Sequence, residues 1–408
     1  MVAAGTINDP FDIKTAFSRN YKYVISPGDT VYLRGGIYTP GDLECFLVGE
    51  AENPIAIRNY PGEIAKIDAA LVISAPYTTW MSEDYGLHVV GTSEVRETDT
   101  PGSAIPSDMP GHGGISIAAP GVKLINIVIH NVLNNAINWF NMPGEIYGCV
   151  IYHNGRIAPD RWHGPGIYTH YDGATVNTIK NCVIVDSFRY GLQLVSAGSN
   201  EVWNYDIEDT VVIGSGVTLS SQAEYPAVDN VVFTRLHTYN CRPFFGVSYG
   251  NQGNAVVLQD SIINFRRAFD AYNLDDLHVV DNRFSGASYD ITNCPDAVVL
   301  GNVWGSLSGT DINFVPNAHA PNWATLTAHL WDGGETVNVD ISAWASNGDT
   351  VRVHNVLLLR EEYITRTVSE GSITVPLAGW TTPPPLGLAG IITNAYPGDF
   401  GCWLLEKI

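Results

Sequence analysis

Between Leu124 and Ser306 the chain repeats one short pattern of apolar and polar residues eight times, with loops of varying length between the copies. The segments are LINIVIHN (124–131), IYGCVIYHN (146–154), IKNCVIVDS (179–187), IEDTVVIGS (207–215), VFTRLHTYN (232–240), LQDSIINF (258–265), VVDNRFSG (279–286) and VLGNVWGS (299–306). Aligned on their central small or polar residue, they mark Asn126, Gly148, Asn181, Asp209, Thr234, Asp260, Asp281 and Gly301, at steps of 20–33 residues. β-Branched residues dominate and no heptads occur, so the drifting period predicts a solenoid of β-strands. A second phrase follows most anchors: AINWFN (136–141), GIYTHY (166–171), GLQLVS (191–196), GVTLSS (216–221), GVSYGN (246–251) and AFDAYN (268–273). Two strands per rung at a common period predict a right-handed parallel β-helix.

The ends of the chain read differently. DPFDIKTAFSRN (9–20) has the pattern of a short amphipathic helix, with Asp9 as its cap, Pro10 in its first turn and Phe11, Ala16 and Phe17 apolar. Such a segment suits the plug that a solenoid's open end requires. GDTVYLRGGIYT (28–39) and NPIAIRNYPGEIAKIDA (53–69) read as the first rungs, whereas residues 80–112 are polar and aperiodic, as in a long surface excursion. After Pro316 the period becomes two in segments 325–331, 335–341, 349–356, 363–368 and 372–377. Short turns separate them, which predicts antiparallel hairpins with one buried face, closed by FGCWLLEKI (400–408) into a small β-sandwich. The expected division is a cap at 1–27, a parallel β-helix at 28–316 and a sandwich at 317–408.

Composition narrows the function. Hydrophobic residues make up 45% of the chain, charged ones 15%, and 40 glycines fit a turn-rich all-β fold. A net charge of −21 excludes phosphate neutralisation by a basic surface, so nucleic acid is not an expected partner. No apolar run of 18 residues is present, so no transmembrane helix is expected, and the first residues lack the basic and apolar regions of a secretory signal. Cys149 and Cys182 each follow an anchor residue by one position in consecutive rungs, which predicts stacked core thiols.

Outward side chains of successive rungs form vertical files, because alternate residues of a strand face opposite sides. If Ile137, Ile167, Leu192, Val217, Val247 and Phe269 point inward, one outward file is Asn138, Tyr168, Gln193, Thr218, Ser248 and Asp270. The next is Phe140, His170, Val195, Ser220, Gly250 and Tyr272. Hydroxyls, amides and aromatic rings in this array suit a chain of sugars. Beside it, the longest inter-anchor step carries HNGRIAPDRWHGPGIYTHYDG (153–173), a local concentration of Arg and His on an acidic chain, and Arg189 and Tyr190 arrive on the next rung. Two chemistries can use such a cluster. β-Elimination needs a base, a carboxylate neutraliser and an acid; His163 or His170, Arg161 or Arg189, and Tyr168 can fill these roles. Glycoside hydrolysis needs two carboxyl groups about 5–10 Å apart, for which Asp160 and Asp172 are the nearest pair, with Asp186 and Asp270 in reserve. No cofactor is expected. Calcium is the one ion that Asp270, Asp275, Asp276 and Asp281 suggest.

GDTVYLRGGIYT, NPIAIRNYPGE, KLINIVIHN, IYHNGRIAPDRWHGPGIYTH and the closing sandwich resemble the right-handed parallel β-helix repeat proteins of the pectate-lyase-like superfamily. More narrowly, the chain resembles a group of bacterial and phage β-helix proteins with a Pro-Asp-Arg-Gly-His-Gly-His-Gly-Ile-Tyr segment. Pro159, Asp160, Arg161, His163, Gly164, Gly166, Ile167 and Tyr168 keep that segment, while Trp162 replaces the first glycine and Pro165 the second histidine. The resemblance implies polysaccharide lyases, hydrolases and epimerases, and also phage tailspikes and non-catalytic adhesins. Two functions follow as expectations. One is an enzyme cleaving a polysaccharide along the outward file, with Asp160, Arg161, His163, Tyr168 and His170 catalytic and Asn138, Asp172, Arg189, Tyr190, Gln193, Thr218, Ser248, Asp270 and Tyr272 binding substrate. The other is a virion decoration, tail or surface-fibre subunit of the same fold, with homo-oligomeric or virion neighbours. Both imply an extracellular or virion-associated location and a polysaccharide or surface glycan as partner.

Overall fold

A computed structural model describes residues 5–18, 24–196, 201–221, 227–246, 253–389, 394 and 396–408. Three long parallel sheets of 11, 11 and 10 strands, here sheets I, II and III, wind together into a coil. Consecutive rungs pair in register, as in Ile146↔Ile179↔Ile207↔Phe233↔Leu258↔Val279 on sheet I.

Each rung therefore has three strands rather than the two the periodicity suggests. The anchor phrase is itself two strands joined by a two-residue corner. Gly144–Tyr147 lies in sheet I and Val150–Tyr152 in sheet II, with Gly148 turning between them at φ 63°. Corner residues Asn126, Asn181, Asp209, Asp260 and Asp281 share this left-handed conformation, with φ between 50° and 56°. Asn, Asp and Gly tolerate that region best, and so the anchors stand out in the sequence. In the fifth anchor the corner falls on Arg235 (φ 50°), not on Thr234, because Ile207 pairs with Phe233 and carries Asp209 onto Arg235. Arg235 is held there by Asp209, whose Oδ1 accepts from its Nε at 2.6 Å.

Inward side chains fill the coil completely. Leu124, Ile146, Ile179, Ile207, Phe233 and Leu258 are fully buried on sheet I, and Cys149 and Cys182 stack at the corner beside them, also fully buried. Towards the last rungs the core becomes aromatic, with Phe233, Phe245, Phe269, Phe284 and Trp304 in ring contact. The first rung is plugged by a helix at Ile13–Phe17, whose Phe17 is fully buried and meets Trp80 edge-on at 5.4 Å. Its cap is Asp12, accepting from the Thr15 amide at 3.0 Å, and not Asp9 as the sequence suggests.

The surface excursion is shorter than its polar sequence implies. Thr78–Met81 and Leu87–Val90 are a regular rung of sheets I and II, and only about residues 91–114 leave the coil. The polarity of the Ser82–Tyr85 corner disguises that rung. Ser82 Oγ donates to Asn59 Oδ1 at 2.8 Å, and Asp84 Oδ1 accepts from Asn59 Nδ2 at 2.8 Å.

The C-terminal strands form a five-stranded antiparallel sheet in the order Thr310–Pro316, Trp323–Leu330, Phe400–Lys407, Thr350–Asn355, Tyr363–Thr367, faced by the pair Thr336–Asp340 and Ser372–Pro376. One buried face was expected, yet every residue of Trp323–Leu330 is buried. Leu326, Ala328 and Leu405 face the sandwich core, while Trp323, Phe400, Cys402 and Leu404 pack on Val128, Val150, Val183 and Val211 of sheet II. The sandwich thus covers the outer face of sheet II. That also explains why the central sheet II strands Val183–Val185 and Val211–Ile213 are apolar at every position, as strands buried on both faces are.

Candidate functional site

With sheet II covered, the outer face of sheet III offers the long polar array. Its strands include Ile115–Ile117, Ile137–Phe140, Ile167–His170, Tyr190–Ser196, Gly216–Ser221, Pro243–Gly246, Arg267–Tyr272 and Ser288–Thr292. Pairing carries Ser116 onto Asn138, Tyr168, Gln193, Thr218, Phe244, Asp270 and Asp290, which form one outward file. Alternation fixes their direction, since Leu192, Leu194, Val217 and Leu219 on either side are fully buried in the core. The file position expected for Ser248 belongs to Phe244. The strand of that rung begins at Pro243, whereas Ser248 and Gly250 lie outside the described residues.

Two aromatic platforms stand on this face. Phe140 stacks on His170 at 4.7 Å with 15° between the rings, and Tyr168 meets Phe140 edge-on at 4.9 Å. Burial pushes the His170 imidazole below its ordinary value, so it is neutral at pH 7. Farther along, Phe244 and Tyr272 lie 5.7 Å apart. Between the platforms Gln193 and Thr218 are sunk below their neighbours, at 4% and 5% exposure. Oε1 of Gln193 has no hydrogen-bond partner among the described residues. A cleft of about 550 Å³ opens beside this stretch, lined by Tyr190, Asn240, Arg242, Phe244 and Phe265.

Asp270 and Asp290 are the charged residues of the file, and Asp270 is occupied. Arg242 Nη1 and Arg267 Nε hold its two oxygens at 2.8 and 2.9 Å, and it is 2% exposed. Arg267 also reaches Asp290 at 3.4 Å, and the Tyr272 hydroxyl donates to Asp290 at 2.8 Å. Asp172 is exposed beyond the end of the Ile167–His170 strand, and the Arg189 guanidinium lies over the Tyr190 ring at 5.4 Å.

The Arg- and His-rich insertion folds as a hairpin, Arg156–Ile157 against Trp162–His163, at the edge where sheet II passes to sheet III. It is bound to the excursion. Arg156, fully buried, donates to the carbonyls of Gly102 and Ala104 at 2.8 and 2.7 Å, and Arg161 donates to Ser103 Oγ at 2.7 Å. Asp160 accepts from the Gly102 amide at 3.2 Å and pairs with Arg161 at 2.9 Å and with His163 at 3.3 Å. Desolvation opposes ionisation of Asp160, but the Gly102 amide and His163 outweigh it and hold its carboxyl below the usual range. Burial lowers His163 against the pull of Asp160, leaving a neutral ring 3% exposed. The structure thus brings Asp160, Arg161 and His163 together in one hydrogen-bonded set, and Tyr168 and His170 in another on the sheet. Asp160 and Asp172 lie at opposite ends of the Ile167–His170 strand, which alone is about 10 Å of extended chain. Among the described residues no group of three or more His, Cys, Asp or Glu side chains is placed to hold a metal ion.

Residues 113–284 match the family described as the right handed beta helix region. That match and the three parallel sheets agree on the fold. The chain is a right-handed parallel β-helix protein. The sequence matches no curated protein. Among solved structures it is similar to the pectate lyase Pel9A, at 13% identity over 74% of this chain and 76% of that one with a TM-score of 0.39. A rhamnogalacturonan lyase aligns at 13% identity over 73% and 81%, with a TM-score of 0.38. The Dettilon tailspike protein gp208 aligns at 10% over 97% and 90%, with a TM-score of 0.28. At these values nothing about activity passes to this β-helix protein.

Sequence reasoning missed Arg242, Phe244 and Asp290. A signal was present: Pro243 follows the left-handed Asn240 by three residues, as Val217 follows Gly214 on the preceding rung, and that count sets Pro243-Phe244-Phe245 in the strand. It also missed Arg96, which donates to the carbonyls of Val132 and Gly155, both at 2.8 Å, and of Leu386 at 3.2 Å.

Proposed function

We propose that this protein recognises a glycan chain laid along the outer face of sheet III. The observation that carries the reading is the unbroken outward file from Ser116 to Asp290, flanked by the Phe140–His170 and Phe244–Tyr272 platforms. Sugars present flat C–H faces to aromatic rings and hydroxyls to amides, and Asn138, Gln193 and Thr218 supply the polar partners between the rings. The hairpin carrying Asp160, Arg161 and His163 acts as a clamp that fixes the groove wall, because its charged groups are spent on the 102–104 segment and on one another. A glycan-binding role is compatible with an extracellular protein and with a virion fibre or decoration subunit.

A second reading, that the bound chain is also cut, is favoured by one observation: Tyr168 and a neutral His170 stand two residues apart on the same exposed strand. His170 would take a proton and Tyr168 would give one to the leaving oxygen. The test joins a glycan array with a turnover screen that follows unsaturated products and new reducing ends. Binding that is lost in Phe140→Ala and Tyr168→Ala, without turnover, supports recognition alone. Unsaturated products that vanish in His170→Ala support the second reading, and the absence of binding to any glycan refutes both.

A further inference from the structure

Resting on the glycan-binding reading, we infer that the sheet III groove selects uncharged sugar chains several rings long, and not the acidic polysaccharides that the fold resemblance implies. The two arginines that reach the outward file are already neutralised. Arg242 and Arg267 share Asp270, and Arg267 also meets Asp290, so two arginines face two aspartates at 2.8 to 3.4 Å. Tyr272 and Thr292 hydroxyls donate to Asp290 at 2.8 and 2.7 Å, which takes up its remaining oxygen capacity. Of the other charges flanking the groove, exposed Arg189 and Arg266 precede their sheet III strands at one edge, and exposed Asp172 follows its strand at the other. The file itself is therefore close to neutral on a chain of net charge −21. A polyanion approaching it meets a repulsive field, and the two arginines beside the file are already shared with aspartates.

What remains free is suited to uncharged groups. Gln193 Oε1 is buried without a partner among the described residues, which costs free energy until a hydroxyl or amide donor meets it. The platforms are separated by three rungs on their near sides (His170 to Phe244) and five on their far sides (Phe140 to Tyr272). At about 4.8 Å per rung that is roughly 14 Å and 24 Å, a span that single sugars or disaccharides cannot bridge. Affinity should therefore rise with chain length until both platforms are engaged.

The experiment is a titration of the full chain with neutral and uronic oligosaccharide length series, at low and high salt, beside an array of neutral and acidic bacterial and plant glycans. The expected result is binding of a neutral glycan that strengthens with length and is insensitive to salt. Phe140→Ala and Phe244→Ala should each weaken it roughly fivefold to tenfold. Asp270→Asn, checked by its melting curve to be folded, frees Arg242 and leaves Arg267 only its 3.4 Å contact with Asp290, and should gain salt-sensitive binding of oligogalacturonate that the parent lacks. Salt-sensitive binding of acidic chains by the parent protein overturns the inference and leaves the glycan-binding reading standing. Binding of neither class overturns both.

Discussion

Acidification should loosen the seam between the β-helix and the C-terminal sandwich, and two histidines set the size of the effect. His237 faces outward from sheet II and His329 inward from the sandwich, stacked at 5.8 Å with 26° between rings. They are 3% and 0% exposed, and Phe400 and Trp331 pack around His329. Neither nitrogen of His329 has a partner among the described residues. Burial pushes His237 down from 6.5 to about 4, with Asp209 opposing and Arg235 reinforcing the shift. Burial likewise holds His329 well below 6.5, reinforced by His237 and Arg283. The unfolded chain thus takes up protons below pH 6.5 that the folded one refuses. The stability these rings share is complete above pH 6.5 and is lost as pH falls toward 4. At pH 5 the gap below 6.5 is about 1.5 units, or about 2 kcal/mol for His237, and His329 adds to it in the same direction. Denaturant midpoints from tryptophan fluorescence at pH 7.5, 6 and 5 measure it. The variant His237→Leu with His329→Phe should remove at least about 2 kcal/mol of the loss between pH 7.5 and 5, leaving the share of His88, His130 and His153. An unchanged pH slope in that variant refutes the argument.

Other expectations follow from single sites. Asn126 sits at φ 56°, donates to Ser82 O at 2.9 Å and accepts from Asn317 at 2.8 Å; Asn126→Ala should cost about 3 kcal/mol in a denaturant melt and Asn126→Gly less, because glycine keeps the conformation and loses only the hydrogen bonds. Arg96→Met strips buried carbonyls of their donor and should cost about 3 kcal/mol, with limited proteolysis cutting residues 91–113 at least tenfold faster. Val183→Asp places an unpaired charge under the sandwich and should prevent soluble expression or halve the cooperative transition into two, whereas the same change at exposed Val176 should leave the melt unchanged.

The coil was legible because its corners demand residues that tolerate positive φ. Asn126, Asn181, Asp209, Asp260 and Asp281 recur for that reason, between strands whose apolar residues are set by a common core. The third strand of each rung escaped notice because a two-residue corner, Gly148-Cys149, leaves almost no polar gap between Gly144–Tyr147 and Val150–Tyr152. Runs such as Val183–Val185 carried a further message, since three successive apolar residues cannot all face one core. They announce that the outer face is covered, here by Trp323, Phe400 and Leu404. What sequence could not supply is the partner of that face, because strand pairing across 200 residues has no local pattern.

The same limit explains why the charged insertion drew attention away from the sheet. Composition marks Arg156, Asp160, Arg161 and His163 as unusual, but cannot say whether their charges are offered or consumed. Arg156 and Arg161 are consumed by Gly102, Ser103 and Ala104, residues more than 50 positions earlier in the chain. Asp270 reads as an open carboxylate in a polar file, yet its two oxygens are filled by Arg242 and Arg267, one on the preceding rung and one three residues before it. A file of outward residues therefore becomes a chemical prediction only after each charge in it has been paired or left free. On sheet III that accounting leaves rings, hydroxyls and one buried amide oxygen. Those groups recognise uncharged sugars, and a neutral chain carries no carboxylate to acidify a ring proton for elimination. If the groove is selective in this way, His170 and Tyr168 serve to stack and hold the chain, and replacing His170 with Phe should preserve binding that His170→Ala loses.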